Sequence, residues 1–230
     1  MNDSNPTQII AKYSFINEEF YAERVTPFQL DALLADGWRH FGKHFFRYNL
    51  GFSQGEIRFV MPLRIRLKDF GFSKSQRRIL RKNSDLETII RPVKITAATE
   101  TLFERHKRRF KEGVPESVYT FLDQNPSSVP CRTMECAVYL ENEIVAVSFF
   151  DVGETSVSGI YACFAPEFSE RGLGTFTMLV EIDFALENGK DFYYQGYAYA
   201  GNSFYDYKKR FRALETYDWF GNWKDFSENI

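Results

Sequence analysis

Apolar and polar positions trade places along this chain at two periods, and each change of period marks an element. From Ile57 to Leu67 the period is two: Ile57, Phe59, Met61, Leu63, Ile65 and Leu67 fall on one face, with Arg58, Arg64 and Arg66 on the other. That alternation predicts a half-buried strand. Pro62 has no N–H to give a ladder, so the run is expected at a sheet edge or in two pieces. Met134, Cys136, Val138 and Leu140 alternate in the same way, Glu141-Asn142 makes a tight turn, and Ile144 to Phe150 is an apolar strand. Gly153-Glu154 then turns the chain into Ser156 to Phe164, which completes an antiparallel meander of three strands. Beyond Glu170-Arg-Gly-Leu-Gly174 the period becomes helical. Met178, Ile182, Ala185 and Leu186 stand at i, i+4, i+7 and i+8, and Gly189 closes the helix. Phe192 to Tyr194 reads as a short strand and Phe204 to Arg210 as a short basic helix.

The first half is less regular. Residues 1 to about 25 form a polar arm, expected to pack late or stay partly mobile. Thr26-Pro27 is a helix start, with Phe28, Leu30, Leu33 and Leu34 at helical spacing toward Gly37. Trp38 to Tyr48 is aromatic and basic and fits a strand. Ser73 is an N-cap for a short helix through Lys82 that carries five basic side chains and no acid. Leu86 to Val93 reads as a strand. Ala98 to Lys111 reads as a helix with Leu102, Phe103, His106 and Phe110 on one stripe.

Three antiparallel strands, a glycine-bearing turn, a helix and a further strand are the layout of an acyl-CoA N-acyltransferase (GNAT) core. The expected class is therefore α+β: a GNAT-like mixed, mostly antiparallel sheet flanked by helices over residues 98–230. A smaller N-terminal α/β module covers residues 1–97, with a soft boundary near Ala97. The composition is that of a folded protein, with 44% hydrophobic and 26% charged residues. No stretch approaches the roughly 18 apolar residues of a membrane helix, and Met1 to Ile10 lacks the apolar core of a signal peptide. Cys131, Cys136 and Cys163 cannot all pair with one another and contain no C-x-x-C. A soluble, cytoplasmic protein with neither metal nor cofactor is the expectation. Its net charge of −2 predicts no polyanion partner in bulk, so any nucleic acid would have to be met by local patches.

Four groups of residues have the chemistry for a site. Arg171-Gly172-Leu173-Gly174 precedes a helix, where free N–H groups and the dipole favour an anion; loop glycines before helices also serve plain turns. Two basic segments, Lys74 to Lys82 and Arg105 to Lys111, suit phosphates or simply form solvated faces. Asp151 and Glu154 stand where a strand ends. They suit a cationic substrate group or a proton from an attacking amine, or else mark an exposed hairpin end. Tyr197, Tyr199, Tyr205 and Tyr207 with Lys208 line a pocket, stack on a nucleobase, or pack the core.

Taken in order, several short stretches resemble one family, the arginyl-tRNA–protein transferases. Asp36-Gly37-Trp38-Arg39-His40-Phe41-Gly42 is similar to that family's Gly-Trp/Phe-Arg-x-x-Gly stretch. Pro62 to Ile65 and Ser73 to Arg78 resemble the segments that follow it. Asp151-Val152, Ser158-Gly159-Ile160-Tyr161 and Leu173-Gly174 resemble its catalytic half, and Gly196-Tyr197 with Tyr207-Lys208 resembles its Gly-Tyr/Phe and Tyr-Lys pair. The resemblance runs from about residue 20 to the C-terminus, and bacterial leucyl-transfer relatives share most of it. It implies transfer of an amino acid, arginine first among the donors, from charged tRNA to a protein's N-terminal amine, without a cofactor. It implies catalytic roles for Asp151, Tyr161, Tyr207 and Lys208. Glu154, Arg171, Leu173, Gly174 and Tyr197 would bind substrate, and Lys74, Gln76, Arg77, Arg78 and Arg81 would hold tRNA. The rival readings are an acyl-CoA N-acyltransferase and a non-catalytic binder of RNA or peptides. The family's N-terminal region usually carries a cysteine cluster that binds a metal or iron–sulfur centre; between Tyr48 and Arg58 this chain has no cysteine, and no cluster is implied.

Overall fold

The computed structural model describes residues 15–53, 55–111 and 113–227. Most of the expected polar arm lies outside them. What is described of it ends in β1 (Asn17–Tyr21), which pairs with β3 (His44–Tyr48) in a small sheet completed by β2 (Arg39–Phe41). The strand expected over Trp38 to Tyr48 is thus a hairpin, bent at Gly42, whose φ of 51° is the left-handed conformation glycine adopts without penalty. Between β1 and β2 runs α1 (Pro27–Ala35), started by a Thr26–Gln29 capping box with Pro27 in its first turn.

The main sheet has nine strands. Its path is β12 (Trp223–Asp225), β11 (Leu214–Tyr217), β5 (Glu56–Arg66), β10 (Phe192–Tyr199), β9 (Ser156–Phe164), β8 (Glu143–Val152), β7 (Thr133–Leu140) and β6 (Glu87–Pro92). β4 (Leu50–Ser53) adds to β5 off that path. The expected meander is β7–β8–β9, its first turn taking Glu141 and Asn142 to φ of 49° and 73°. All pairings are antiparallel except β9 with β10. The mixed, mostly antiparallel α+β architecture is the one expected. β5 and β6 come from before Ala97 and the remaining central strands from after it, so a single sheet takes strands from both sides of the expected boundary.

Pro62 does not put β5 at an edge. It falls between the stretch paired with β4 (Glu56–Phe59) and the stretch paired with β11 (Leu63–Ile65), so its missing N–H deprives neither ladder. The short strands β11 and β12, too brief to show a period, supply the cover that sequence reading did not anticipate.

Two cores flank the sheet. On one face α4 (Leu173–Glu187) buries Leu173, Phe176, Leu179, Ile182 and Ala185 against Leu63, Ile65, Cys136, Val138, Phe150 and Tyr193. The stripe is turned from the expected one: Met178 is only partly buried and Leu186 is exposed. On the other face α3 (Ala97–Lys107) sets Leu102 and Phe103 against Val147, Phe149 and Cys163. A short helix, α2 (Lys74–Lys82), packs on α4; its Ser73 cap closes a capping box with Gln76. No helix among the described residues is long and apolar enough to cross a membrane.

Candidate functional site

The feature that organises the site is a divergence of two strands. β10 pairs with β9 only over Phe192–Tyr194 and Ser156–Ser158; β9 then continues beside β8, and β10 continues beside β5. A bulge at Gln195 lies where they part. Backbone groups that would otherwise pair face the gap, and two cations take them. Arg39, from β2, donates to the Ser158 hydroxyl at 2.5 Å and to the Gly159 carbonyl. Lys208, from the 3₁₀ segment Phe204–Arg210, donates to the Tyr197 carbonyl at 3.1 Å. Gly196 lies between them at φ 85°, and a Cβ placed there would stand 3.5 Å from both the Arg39 guanidinium and the Lys208 ammonium. Both cations are half-buried. Neither has a carboxylate partner among the described residues, and burial with the Arg39 charge beside it holds Lys208 down to about 7.

From the opposite face α4 sends Glu181 to the same place. Its carboxyl accepts from the Tyr193 hydroxyl at 2.5 Å, and Gly159, lacking a side chain, makes room for that pair. Glu181 is 3% exposed, and burial pushes its carboxyl up to about 7. Gln195 is buried with neither amide atom partnered among the described residues; an unpaired buried amide costs on the order of 1–3 kcal/mol unless a ligand or water meets it. Two cations and a carboxyl poised near neutrality therefore gather where β9 and β10 part, beside a buried amide, a combination that marks functional sites more often than structural ones.

Asp151 lies on the neighbouring strand, opposite Ser158 in the β8–β9 ladder, and its charge reaches Arg39. It is 1% exposed at the end of β8 and accepts from His40 Nε2 at 2.8 Å, Thr133 Oγ1 at 2.6 Å and Cys131 Sγ at 3.3 Å. His40 Nδ1 faces the Gly42 carbonyl at 2.9 Å, and since a carbonyl only accepts, that nitrogen donates. Burial alone would raise the Asp151 carboxyl; the His40 charge and the three donors outweigh it and hold the group below its ordinary value. Both oxygens are occupied, and a role in taking a substrate proton does not fit this position. The ligand atoms of His40, Cys131 and Asp151 lie within 4.8 Å of one another, but they satisfy each other. The chain's three cysteines all lie beyond residue 130 and are buried and free, so the donor set for an N-terminal cysteine cluster is not in this sequence.

The other expected site residues divide by location. Lys208 lies in the cleft and Tyr207 at its surface. Tyr161 is stacked on Phe121 at 3.9 Å, its hydroxyl buried and without a partner among the described residues. The Tyr197 hydroxyl is spent on the Gly37 carbonyl at 2.7 Å, where it ties β10 to the end of α1, so only its main chain faces the gap. Leu173 is fully buried in the α4 core and cannot reach a substrate. Arg171 is held by Asp85 through bonds of 2.8 and 3.0 Å, and Asn83 caps the Arg171 carbonyl. Gly174 packs near Phe164. Glu154 is exposed in the β8–β9 turn. That turn precedes β9 and the Arg171 turn follows it; at about 3.3 Å per residue the two ends are roughly 26 Å apart, too far to share one acyl group.

The two basic segments also separate. Lys74, Arg77, Arg78 and Arg81 stand at i, i+3, i+4 and i+7 of α2, all exposed, and none has a carboxylate partner among the described residues. Gln76 is buried in the capping box and stabilises the helix instead. In the second segment Arg105 pairs with Glu143 and Glu167 and Lys107 with Glu104, while Arg108, Arg109 and Lys111 have no carboxylate partner among the described residues. Sequence reading missed Arg39, Glu181, Tyr193 and Gln195 as site residues. A carboxylate within the apolar run of α4 was the available signal for Glu181, and the Gly-Trp-Arg-x-x-Gly stretch was the one for Arg39.

Residues 99–218 match the family described as arginine-tRNA-protein transferase, C terminus. The chain is 28% identical over 202 residues to an aspartate/glutamate leucyltransferase of Helicobacter hepaticus, which covers 86% of this chain and 82% of that one. It is 31% identical over 210 residues to the aspartate/glutamate leucyltransferase of Stenotrophomonas maltophilia, covering 86% and 80%. Among solved structures, FemX aligns over 88% of this chain and 70% of its own at 12% identity, with a TM-score of 0.49.

Proposed function

Because the chain belongs to the arginine-tRNA–protein transferase family, we propose that it moves an amino acid from the 3′ end of a charged tRNA to the N-terminal α-amine of a protein, with leucine as donor. The sequence alone favoured arginine. The relatives named above are leucyltransferases.

The acceptor amine attacks the aminoacyl ester carbonyl, a peptide bond forms, and the ribose oxygen leaves with a proton. The ester is already activated, so holding the two substrates together supplies much of the acceleration. The acceptor must first lose its ammonium proton. Glu181, whose carboxyl sits at about 7, is the group in this cleft matched to that task, with the Tyr193 hydroxyl between it and the gap.

The observation that carries the tRNA reading is the unpaired cationic face of α2. Four exposed cations on one helical face suit phosphates spaced along a strand. The acyl-CoA alternative needs the turn before α4 for pyrophosphate, and there Arg171 is engaged by Asp85 and α2 packs alongside. The double substitution Arg77→Ala with Arg78→Ala removes two contacts from an exposed face. It should leave stability unchanged while reducing the salt slope of tRNA binding by about 2; an unchanged slope takes α2 out of the interface. Transfer of labelled leucine and arginine from charged tRNA to peptides differing in their first residue tests the reaction itself. A folded protein that binds tRNA yet labels no peptide with either donor would be a binding module.

A further inference from the structure

A strand inside a sheet has two edges, and the main-chain groups of both need partners. β9 keeps a strand on each side only as far as Ser158. β8 pairs with it from Val157 to Phe164, whereas β10 leaves it after Tyr194. Burial follows the pairing. Residues 145–152 of β8 and 156–158 of β9 are buried, while Gly159, Ile160, Tyr161 and Ala162 are all partly exposed. A strand in the middle of a nine-stranded sheet therefore presents an open edge.

The ladder fixes which groups lie on that edge. The Ala165 N–H donates to the Val145 carbonyl at 2.9 Å, on the β8 side. The groups of Phe164, one residue earlier, thus point away from β8, and those of Ala162 point with them. Side chains close the two ends. Arg39 takes the Gly159 carbonyl, and His106 of α3 has its Nδ1 3.0 Å from the Phe164 carbonyl and 3.1 Å from the Phe164 N–H. Between these caps no strand, loop or side chain among the described residues bonds to Ala162 on the open edge. One donor and one acceptor stand there side by side. Another polypeptide main chain brings the complement of both at strand spacing, whereas the phosphates of a nucleic acid only accept.

The candidate reacting groups lie at one end of this edge. A side chain at Gly159 would strike the Tyr193 hydroxyl, which is bonded to Glu181. Gln195, buried and with neither amide atom partnered among the described residues, stands at the bulge where the strands part. A chain whose amine is at that end runs on toward Phe164 parallel to β9, in the direction β10 takes where the two strands pair. The stretch from Gly159 to Phe164 spans about 17 Å, enough for roughly five extended residues. We infer that the acceptor polypeptide binds as an added strand parallel to β9, its amine at the Gly159 end and its main chain hydrogen-bonded to Ala162. The assignment rests on the transferase reading and names what holds the acceptor beyond its first residue. Main-chain contacts of this kind give affinity without reading side chains.

Fluorescence anisotropy on the intact protein tests this without requiring turnover. Tagged hexapeptides with a free amine and every first residue are screened, and the tightest is N-methylated in turn at residues 2 to 5. A methyl group on an N–H that faces β9 blocks both the bond and the approach, so the losses should alternate. Two positions separated by one residue should each lose at least about tenfold in affinity, and the intervening ones less than about threefold. Ala162→Pro removes an N–H from the open edge and none from the β8 ladder. It should weaken the unmethylated peptide about tenfold and leave affinity for leucyl-tRNA unchanged. If Ala162→Pro does not fold, the methyl series decides alone. Losses without alternation, or no peptide binding at all, overturn the added strand. So does an Ala162→Pro protein that loses leucyl-tRNA and keeps the peptide, which would give the edge to the tRNA end. Labelled leucine transfer, run in parallel, keeps the two ideas apart. Alternating losses in binding without any transfer would sink the reaction and keep the strand; transfer indifferent to the methylated position would do the reverse.

Discussion

Arg39 and His40 are neighbours on β2, and strand alternation delivers them to opposite outcomes. His40 enters a closed network: Asp151, Thr133, Cys131 and the Gly42 carbonyl meet every polar atom, and the carboxylate is held below its ordinary range. Arg39 goes to the parting of β9 and β10 with Lys208 beside it and no carboxylate hydrogen-bonded to it among the described residues, while Glu181 nearby is pushed up to about 7. A closed network rigidifies and specifies the fold. The open one stores unfavourable electrostatics that a ligand relieves, which is the ordinary relation between stability and function at a binding site. The two carboxyls, Asp151 and Glu181, should therefore answer pH with opposite signs.

Breaking the closed side has the largest effect. Asp151→Asn leaves His40 buried without its counter-charge, and loss of one member of a buried charged pair costs on the order of 3–5 kcal/mol. The sign follows from linkage. Because the folded carboxyl lies below its unfolded value, its contribution is present above about pH 4 and is lost as pH falls through the lowered folded value. Urea titrations should show the parent losing stability faster than Asp151→Asn below about pH 4. Parallel acid limbs would mean that the network is not ionic.

The open side should behave in reverse. Glu181 has a folded value near 7 against about 4.3 for an unfolded glutamate. Between those values the folded chain holds a proton that the unfolded chain has released, so this group's contribution falls as pH rises from about 4.3 to 7 and then levels off. Glu181→Gln removes the penalty while a side-chain oxygen remains to accept from Tyr193. Relative to the parent it should gain a few kcal/mol at pH 8 and little at pH 4.5, while leucine transfer falls by 10²-fold or more if Glu181 takes the ammonium proton. A stability difference that does not change with pH would show that the carboxyl ionises normally. Unchanged transfer would place the base elsewhere.

The contrast between these regions also explains what the sequence made legible. Local signals were readable because they act over a few residues: the helix starts at Thr26 and Ser73, the Glu141-Asn142 turn, the alternation of β5 and the meander. The basic face of α2 was visible for the same reason. Long-range placement was not. Asp151 at a strand end reads as an exposed hairpin carboxylate until β2 brings His40 across 111 residues. Leu173 and Arg171 read as a phosphate loop until the α4 core and Asp85 claim them. The cleft draws Arg39, Gly159, Glu181, Gly196 and Lys208 from five elements, and nothing local in any one of them announces that a parallel pairing ends after three residues. Pro62 misled for a related reason: its tolerance depends on a seam between two other strands.

The smallest effect probes how redundant the closed side is. Cys131 is the weakest of the three donors to Asp151, its sulfur 3.3 Å from an oxygen that Thr133 already serves at 2.6 Å. Burial, with the Asp151 charge beside it, raises the thiol well above its usual range, so it stays protonated and is a poor nucleophile or metal ligand in the folded chain. Cys131→Ala removes one weak donor and a small apolar volume while His40 and Thr133 remain. It should cost about 1 kcal/mol in urea unfolding, far less than Asp151→Asn, and leave the acid limb in place. Alkylation of Cys131 in the native protein should be slow and should track unfolding. A loss as large as that of Asp151→Asn would mean that the sulfur, not the hydroxyl, sets the Asp151 charge, and rapid alkylation would mean that the network opens in the native protein.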